Sequence, residues 1–112
     1  MTEPGAPLAP AARRRMVVAE TSVPMLARGV RLRFDDSRQR WVLLVPERVI
    51  APDEIAVEIL QLCDGQRSVA TMIDQLAIAY AAPREEIAAD VVAMMQDLAH
   101  SGFLIQAKET NP

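Results

Sequence analysis

The sequence predicts an α+β domain of the winged helix-turn-helix type, with three N-terminal β-strands followed by three α-helices and a short C-terminal strand. Three observations predict it. From Val30 to Phe34 apolar residues alternate with Arg31 and Arg33, and after a polar loop the run Trp41 to Val45 is continuously apolar. Further along, three stretches carry apolar residues at helical spacing, separated by Gly65 and by the Ala-Ala-Pro at 81–83. Aromatics make up 4% of a chain that is 51% hydrophobic, so Leu, Ile, Val, Ala and Met must fill the interior, which suits helices better than a sandwich.

Each element has a local reason. Residues 1–22 are rich in Ala, Pro and Arg without a sustained period and read as a disordered tail or linker; Arg13, Arg14 and Arg15 read as solvated charges on it. The folded domain is expected over 23–107, with a second short tail at 108–112. Val30, Leu32 and Phe34 alternate with Arg31 and Arg33 as in a half-buried first strand, and "WVLLV" is its hairpin partner, covered on both faces. Pro46 closes that strand because it has no N–H for a ladder, and "ERVIA" supplies a short third strand at the sheet edge. Pro52 suits the first position of a helix, with Asp53 and Glu54 at the positive end of the dipole and Ile55, Ile59 and Leu62 as its apolar stripe. Gly65 ends that helix and Ser68 caps the next, whose buried stripe is Met72, Ile73, Leu76, Ala77 and Tyr80. A third helix runs from about Pro83 to Ser101, Gly102 stops it, and "FLIQ" is the final strand.

The chemistry available is thin. Cys63 is the single cysteine, which excludes an intramolecular disulfide and an all-cysteine metal site and fits a cytoplasmic protein. His100 is the single histidine and reads as a helix-end partner of the dipole, while Cys63 reads as a small core residue. The four glycines are scattered, so no phosphate loop is built. No apolar run approaches the roughly 18–20 residues of a membrane span. The expectation is a protein with no catalytic residues, no metal and no cofactor of its own.

Charge is divided along the chain. Residues 28–48 carry six arginines against three acids, a net +3, whereas residues 53–97 carry nine acids against Arg67 and Arg84, a net −7. A winged helix that grips nucleic acid needs its positive charge on the recognition helix, so DNA binding is disfavoured.

The third helix has an apolar face about 160° wide, broader than the roughly 100° stripe of a one-sided helix. Ile87, Val91, Met94 and Leu98 make one stripe, and Ala88, Val92, Met95 and Ala99 a second. Either both stripes pack inside, or one is left as the floor of a groove, with Val92 and Met95 as its exposed members. The third strand, Glu47, Arg48, Val49 and Ile50, would be the other wall. An edge strand leaves N–H and C=O groups free to pair with an added peptide. Glu47 and Arg48 would then select a partner, or they simply keep the edge soluble.

"MLARGVRLRFD", "WVLLVPERVI", "ILQLCDGQRSV", "IDQLAIAY" and "EIAADVVAMMQDLAHSGFL" together resemble, in order and spacing, the PqqD family of pyrroloquinoline quinone (PQQ) biosynthesis, over roughly residues 24–105. The resemblance implies a peptide chaperone, one of the recognition elements of ribosomally made, modified peptides. Such a domain binds the precursor PqqA and presents it to the radical S-adenosylmethionine enzyme PqqE, whose iron–sulfur chemistry lies in that partner. It also implies a mode: the peptide adds as a strand to Glu47, Arg48, Val49 and Ile50 and lies against a helix wall drawn from Val91, Val92, Met94, Met95 and Leu98. Some relatives are fused to the oxidase PqqC, to which the Ala/Pro-rich start could be a linker. A homodimer that pairs the same open edge with its own copy is the competing use of this surface.

Overall fold

A computed structural model describes residues 16–107 of the chain. In chain order the elements are β1 (Pro24–Leu26), β2 (Arg31–Asp35), β3 (Arg40–Val45), β4 (Arg48–Ile50), α1 (Glu54–Leu62), α2 (Val69–Tyr80), α3 (Arg84–His100) and β5 (Leu104–Gln106). The α+β class and the order of the expected elements hold, and β1 is added to them. Strands β2, β3 and β4 form an antiparallel sheet in that order. Its register puts Phe34 opposite Trp41, whose rings meet edge to face at 5.6 Å, one of the favoured aromatic geometries.

β1 pairs antiparallel with β5, Met25 opposite Ile105, in a second sheet. Three residues beginning with a proline are too few to show a period, and the partner lies some eighty residues away, so the pairing is tertiary in origin. It draws the two ends of the domain together over the end of α1, where the Gly65 N–H donates to the Pro24 carbonyl at 2.9 Å.

The helices are set by their caps. Asp53, rather than Pro52, starts α1: its carboxylate accepts from the Ala56 N–H at 2.8 Å, and the proline sits one residue before the cap. Ser68 caps α2 as expected, accepting from the Thr71 N–H. α2 ends on Ala81 in the left-handed region, φ 51°, without a glycine. The core is aliphatic and sulfur-containing, centred on Leu43, Ile59, Met72, Ile73, Met95 and Leu104.

Three expectations need correction. The tail expected over 1–22 is packed in its last part: Val18 and Ser22 are buried, and the side-chain amide of Gln96 on α3 accepts from the Val18 N–H at 2.8 Å and donates to the Met16 carbonyl at 3.0 Å. Farther along that segment, Glu20 pairs with Arg84 at 2.8 Å. Tyr80 leaves the expected buried stripe of α2 and is 54% exposed, because the helix runs past the core edge before it ends. Ile55, placed with Ile59 in the α1 stripe, is 57% exposed. Residues 1–15 and 108–112, the remainder of the two expected tails, lie outside the described residues.

Candidate functional site

β4 is joined to β3 by the two-residue turn Pro46–Glu47, and Val45 stands opposite Arg48. A turn this short closes on a hydrogen-bonded pair, and such pairs alternate along an antiparallel ladder. Val49, opposite Leu44, is therefore the residue whose N–H and C=O point away from β3. Among the described residues nothing pairs with that side of β4, which is an edge of its sheet. Ile50 turns half-buried against the core, while the Val49 side chain is 63% exposed. The unpaired N–H and C=O on this rim are free to pair with an added strand.

The two stripes of α3 divide differently from the expectation. Val91, Met95 and Ala99 are the buried line, and Met95 is 0% exposed, so it is not the groove residue the spacing suggested. Counted at 100° per residue from Ile87, Val91 lies at about 40°, Met95 at about 80° and Ala99 at about 120°. The core takes the middle of a broad apolar arc and both margins are left over. One margin is Ala88 and Val92, half-buried and packed against the core, which corrects the placement of Val92 as exposed. The other is Ile87, Met94 and Leu98, also half-buried.

Met94 and Ile87 line a cavity of about 580 Å³ with Val91 at its floor. Ile55 and Ile59 of α1 and Leu76 and Tyr80 of α2 complete its apolar wall. Glu58, Asp90 and Asp97 line it as well, and no basic residue does. The Tyr80 hydroxyl donates to the Glu58 carboxylate, which raises the tyrosine's pKa and fixes the ring at the entrance. The site is thus an apolar trough with carboxylates, suited to an apolar side chain that has a positive charge nearby.

Of the sequence-derived residues, Val91 and Met94 come together in this trough. Glu47 and Arg48 lie elsewhere, in a shallow hollow with Arg28, Ser101, Gly102 and Phe103 beside the C-terminal end of α3. Val49 and Ile50 line neither concavity, and Val92, Met95 and Leu98 are outside the trough lining. β4 therefore begins at the hollow, and the first trough residue, Ile55, follows only five positions after its last residue. Sequence reasoning missed Ile55, Tyr80 and the carboxylates. The legible signal was an isoleucine and a tyrosine on the first and last turns of their helices, where packing is least complete.

Cys63 is buried, and its thiol donates to the Ile59 carbonyl at 3.2 Å. Burial, with Asp64 adding to it, pushes the thiol up to about 12, which keeps it protonated and unreactive as a nucleophile near neutral pH. No group of ligating side chains that could hold a metal ion occurs among the described residues. No helix there is long and apolar enough to cross a membrane.

A family model described as coenzyme PQQ synthesis protein D (PqqD) matches residues 40–104. A Rhodopseudomonas palustris (strain TIE-1) protein named PqqA binding protein is 67% identical over 99 residues, spanning 88% of this chain and 97% of that one. A Gluconobacter oxydans (strain 621H) protein of the same name is 46% identical over 88 residues, 79% of this chain and 92% of its own. Among solved structures, the solution NMR structure of the PqqD truncation of Methylobacterium extorquens PqqCD aligns with a TM-score of 0.67 at 40% identity, covering 80% of this chain and 95% of that one. That truncation is described as a functional, stand-alone recognition element for ribosomally synthesized and post-translationally modified peptides.

Proposed function

The chain belongs to the PqqD family, and on that premise we propose that it is a PqqA-binding peptide chaperone that takes the precursor as an added strand on β4 and presents it to the radical enzyme PqqE. The observation that carries this reading is the unpaired outer side of β4, with the N–H and C=O of Val49 directed away from β3 and its side chain exposed. Main-chain bonds to that rim supply affinity that is nearly independent of sequence, and the trough beyond Ile50 supplies selection. Met94, Ile87 and Ile55 accept apolar side chains of the peptide. Methionine suits such a role because its unbranched thioether adapts to different shapes.

No chemistry on the peptide is assigned to this chain, whose one thiol is buried and protonated. Cross-linking of the precursor falls to PqqE. A cytoplasmic site of action fits the unpaired cysteine. The Asp90 and Asp97 carboxylates on α3 repel a phosphate backbone, which argues against the DNA-binding use of a winged helix.

The test is a map of amide chemical shifts on addition of synthetic PqqA. Shifts centred on Val49, Ile55 and Met94 are expected. A response confined to the β2 edge, or none at all, would overturn the assignment. A sedimentation run in the same buffers distinguishes the rival occupant: a dimer that persists unchanged at saturating peptide means that the β4 edge is engaged by a second copy.

A further inference from the structure

We propose that the trough selects its peptide by charge as well as by shape: it takes an apolar side chain that stands within two residues of a lysine or arginine, and Asp90 and Asp97 are the residues that make the selection. This rests on the reading of the trough as part of the peptide site, and it names what that site accepts. The helix sets the geometry. Asp90 and Asp97 are seven positions apart on α3, which puts them about 20° apart around the axis and about 10 Å apart along it. Counted from Ile87 at 0°, Asp90 falls at about 300° and Asp97 at about 280°, both outward of Met94 at about 340°. Both are exposed and both line the trough, so two carboxylates border its apolar floor on the solvent side of the helix. Ala93, exposed beside them, leaves the approach of a peptide backbone to this rim unobstructed.

The three carboxylates of the trough are not equivalent. Glu58 already accepts from the Tyr80 hydroxyl, whereas no ion pair among the described residues involves Asp90 or Asp97. A cation brought in by the peptide relieves the repulsion between like charges on this rim, and an acidic segment adds to it. The rim therefore accepts basic segments and rejects acidic ones, a distinction that main-chain pairing on β4 cannot make because every peptide offers the same N–H and C=O groups. Val49 and Ile55 are six residues apart in the chain and hence at most about 22 Å apart, a distance that six extended peptide residues cover. The apolar side chain and its basic neighbour accordingly lie within about six residues of the peptide residue that pairs with Val49.

Calorimetric titration of the full chain with synthetic PqqA, and with PqqA whose lysines and arginines are replaced by glutamine, tests this in the parent and in the Asp90→Asn, Asp97→Asn double variant. The double variant should melt with the parent and bind PqqA about three- to tenfold more weakly at low salt, the scale of two exposed ion pairs. The difference should close in about 0.5 M salt, where the Debye length falls to a few ångströms. The glutamine peptide should lose the same factor against the parent and nothing further against the double variant, because both changes remove one interaction. Equal affinity of parent and double variant for PqqA at low salt, or losses that simply add, would overturn the proposal. Two capped pentapeptides, an isoleucine between two lysines and the same isoleucine between two glutamates, separate it from the chaperone reading. Amide shifts at Ile55 and Met94 with the lysine peptide alone are expected. If they occur while PqqA does not bind, charge selection stands and the chaperone reading falls; if PqqA binds and both pentapeptides act alike, the reverse holds.

Discussion

β1 and β4 are both three residues long, yet the fold encloses one and leaves the other open. On one side β1 pairs with β5, and on the other Met25 bridges to Asp64 and the Pro24 carbonyl accepts from Gly65. Pro24 and Leu104, on these two strands, are fully buried. β4 pairs only with β3, and its middle residue, Val49, stays exposed. Strand length does not separate the two. What separates them is whether another part of the chain reaches the second side: the turn after α1 does so for β1, and nothing among the described residues does so for β4. The β1–β5 sheet holds the domain's ends together, and the β2–β3–β4 sheet keeps an unused rim available.

Substitutions in these regions should therefore have opposite signatures. The largest effect is expected from Met95→Asp, which puts a carboxylate in a fully closed part of the core and should cost several kcal/mol, a large fraction of a typical domain's 5–15 kcal/mol. Thermal unfolding followed by circular dichroism should show it largely unfolded. Met94→Asp, one residue away on the trough margin, should melt within a few degrees of the parent and lose PqqA binding.

Next comes Leu104→Ala in β5, which empties a buried leucine site and should cost about 2–5 kcal/mol in urea titrations, with PqqA affinity of the folded fraction unchanged. Gly65→Ala attacks the same closure. Gly65 has φ 78°, and an added Cβ would stand 3.3 Å from the Met25 Cβ, so a loss of about 1 kcal/mol or more is expected. Val49→Pro reverses the pattern. The lost N–H is not part of the β3 ladder, so stability should move by less than about 1 kcal/mol while calorimetric PqqA affinity falls about tenfold or more. If Val49→Pro unfolds the protein and leaves the affinity of the folded fraction intact, the contrast between the two sheets fails.

The smallest effect is in pH. The Cys63 thiol is raised from 9.0 to about 12 by burial, so the folded state holds its proton where the unfolded chain releases it. The stability this contributes is complete below pH 9.0 and is lost as the pH rises toward about 12. At about pH 9.5 the loss is under about 1 kcal/mol, and Cys63→Ala should remove that part of the alkaline slope in urea titrations.

The β2–β3 hairpin, the proline-started β4 and the three helices were legible because period and punctuation are local properties. Ser68 and Gly102 mark their boundaries within a few residues of the observed ones. Part of the site was legible for the same reason: a short edge strand after Pro46 and a broad apolar arc on α3 both announce surface left over after local structure forms. Which margin of the arc faces outward was not legible. Met95 and Met94 are adjacent and chemically identical, and only the position of α1 and α2 against α3 decides that one is sealed and the other lines the trough.

By itself, then, the sequence determined the element types, the sulfur-rich aliphatic interior, the acidic character of the helical half and the presence of a short strand after Pro46. The tertiary structure alone decided that β1 exists, that residues 16–22 pack on α2 and α3, that Ile55 and Tyr80 stay exposed, and that Val49 rather than the charged Glu47 or Arg48 is the centre of the open rim. The physical reason is the range of the forces involved. Helix and strand patterns are set by neighbours within a few residues, whereas coverage of an edge or a helix margin depends on segments brought back from tens of residues away.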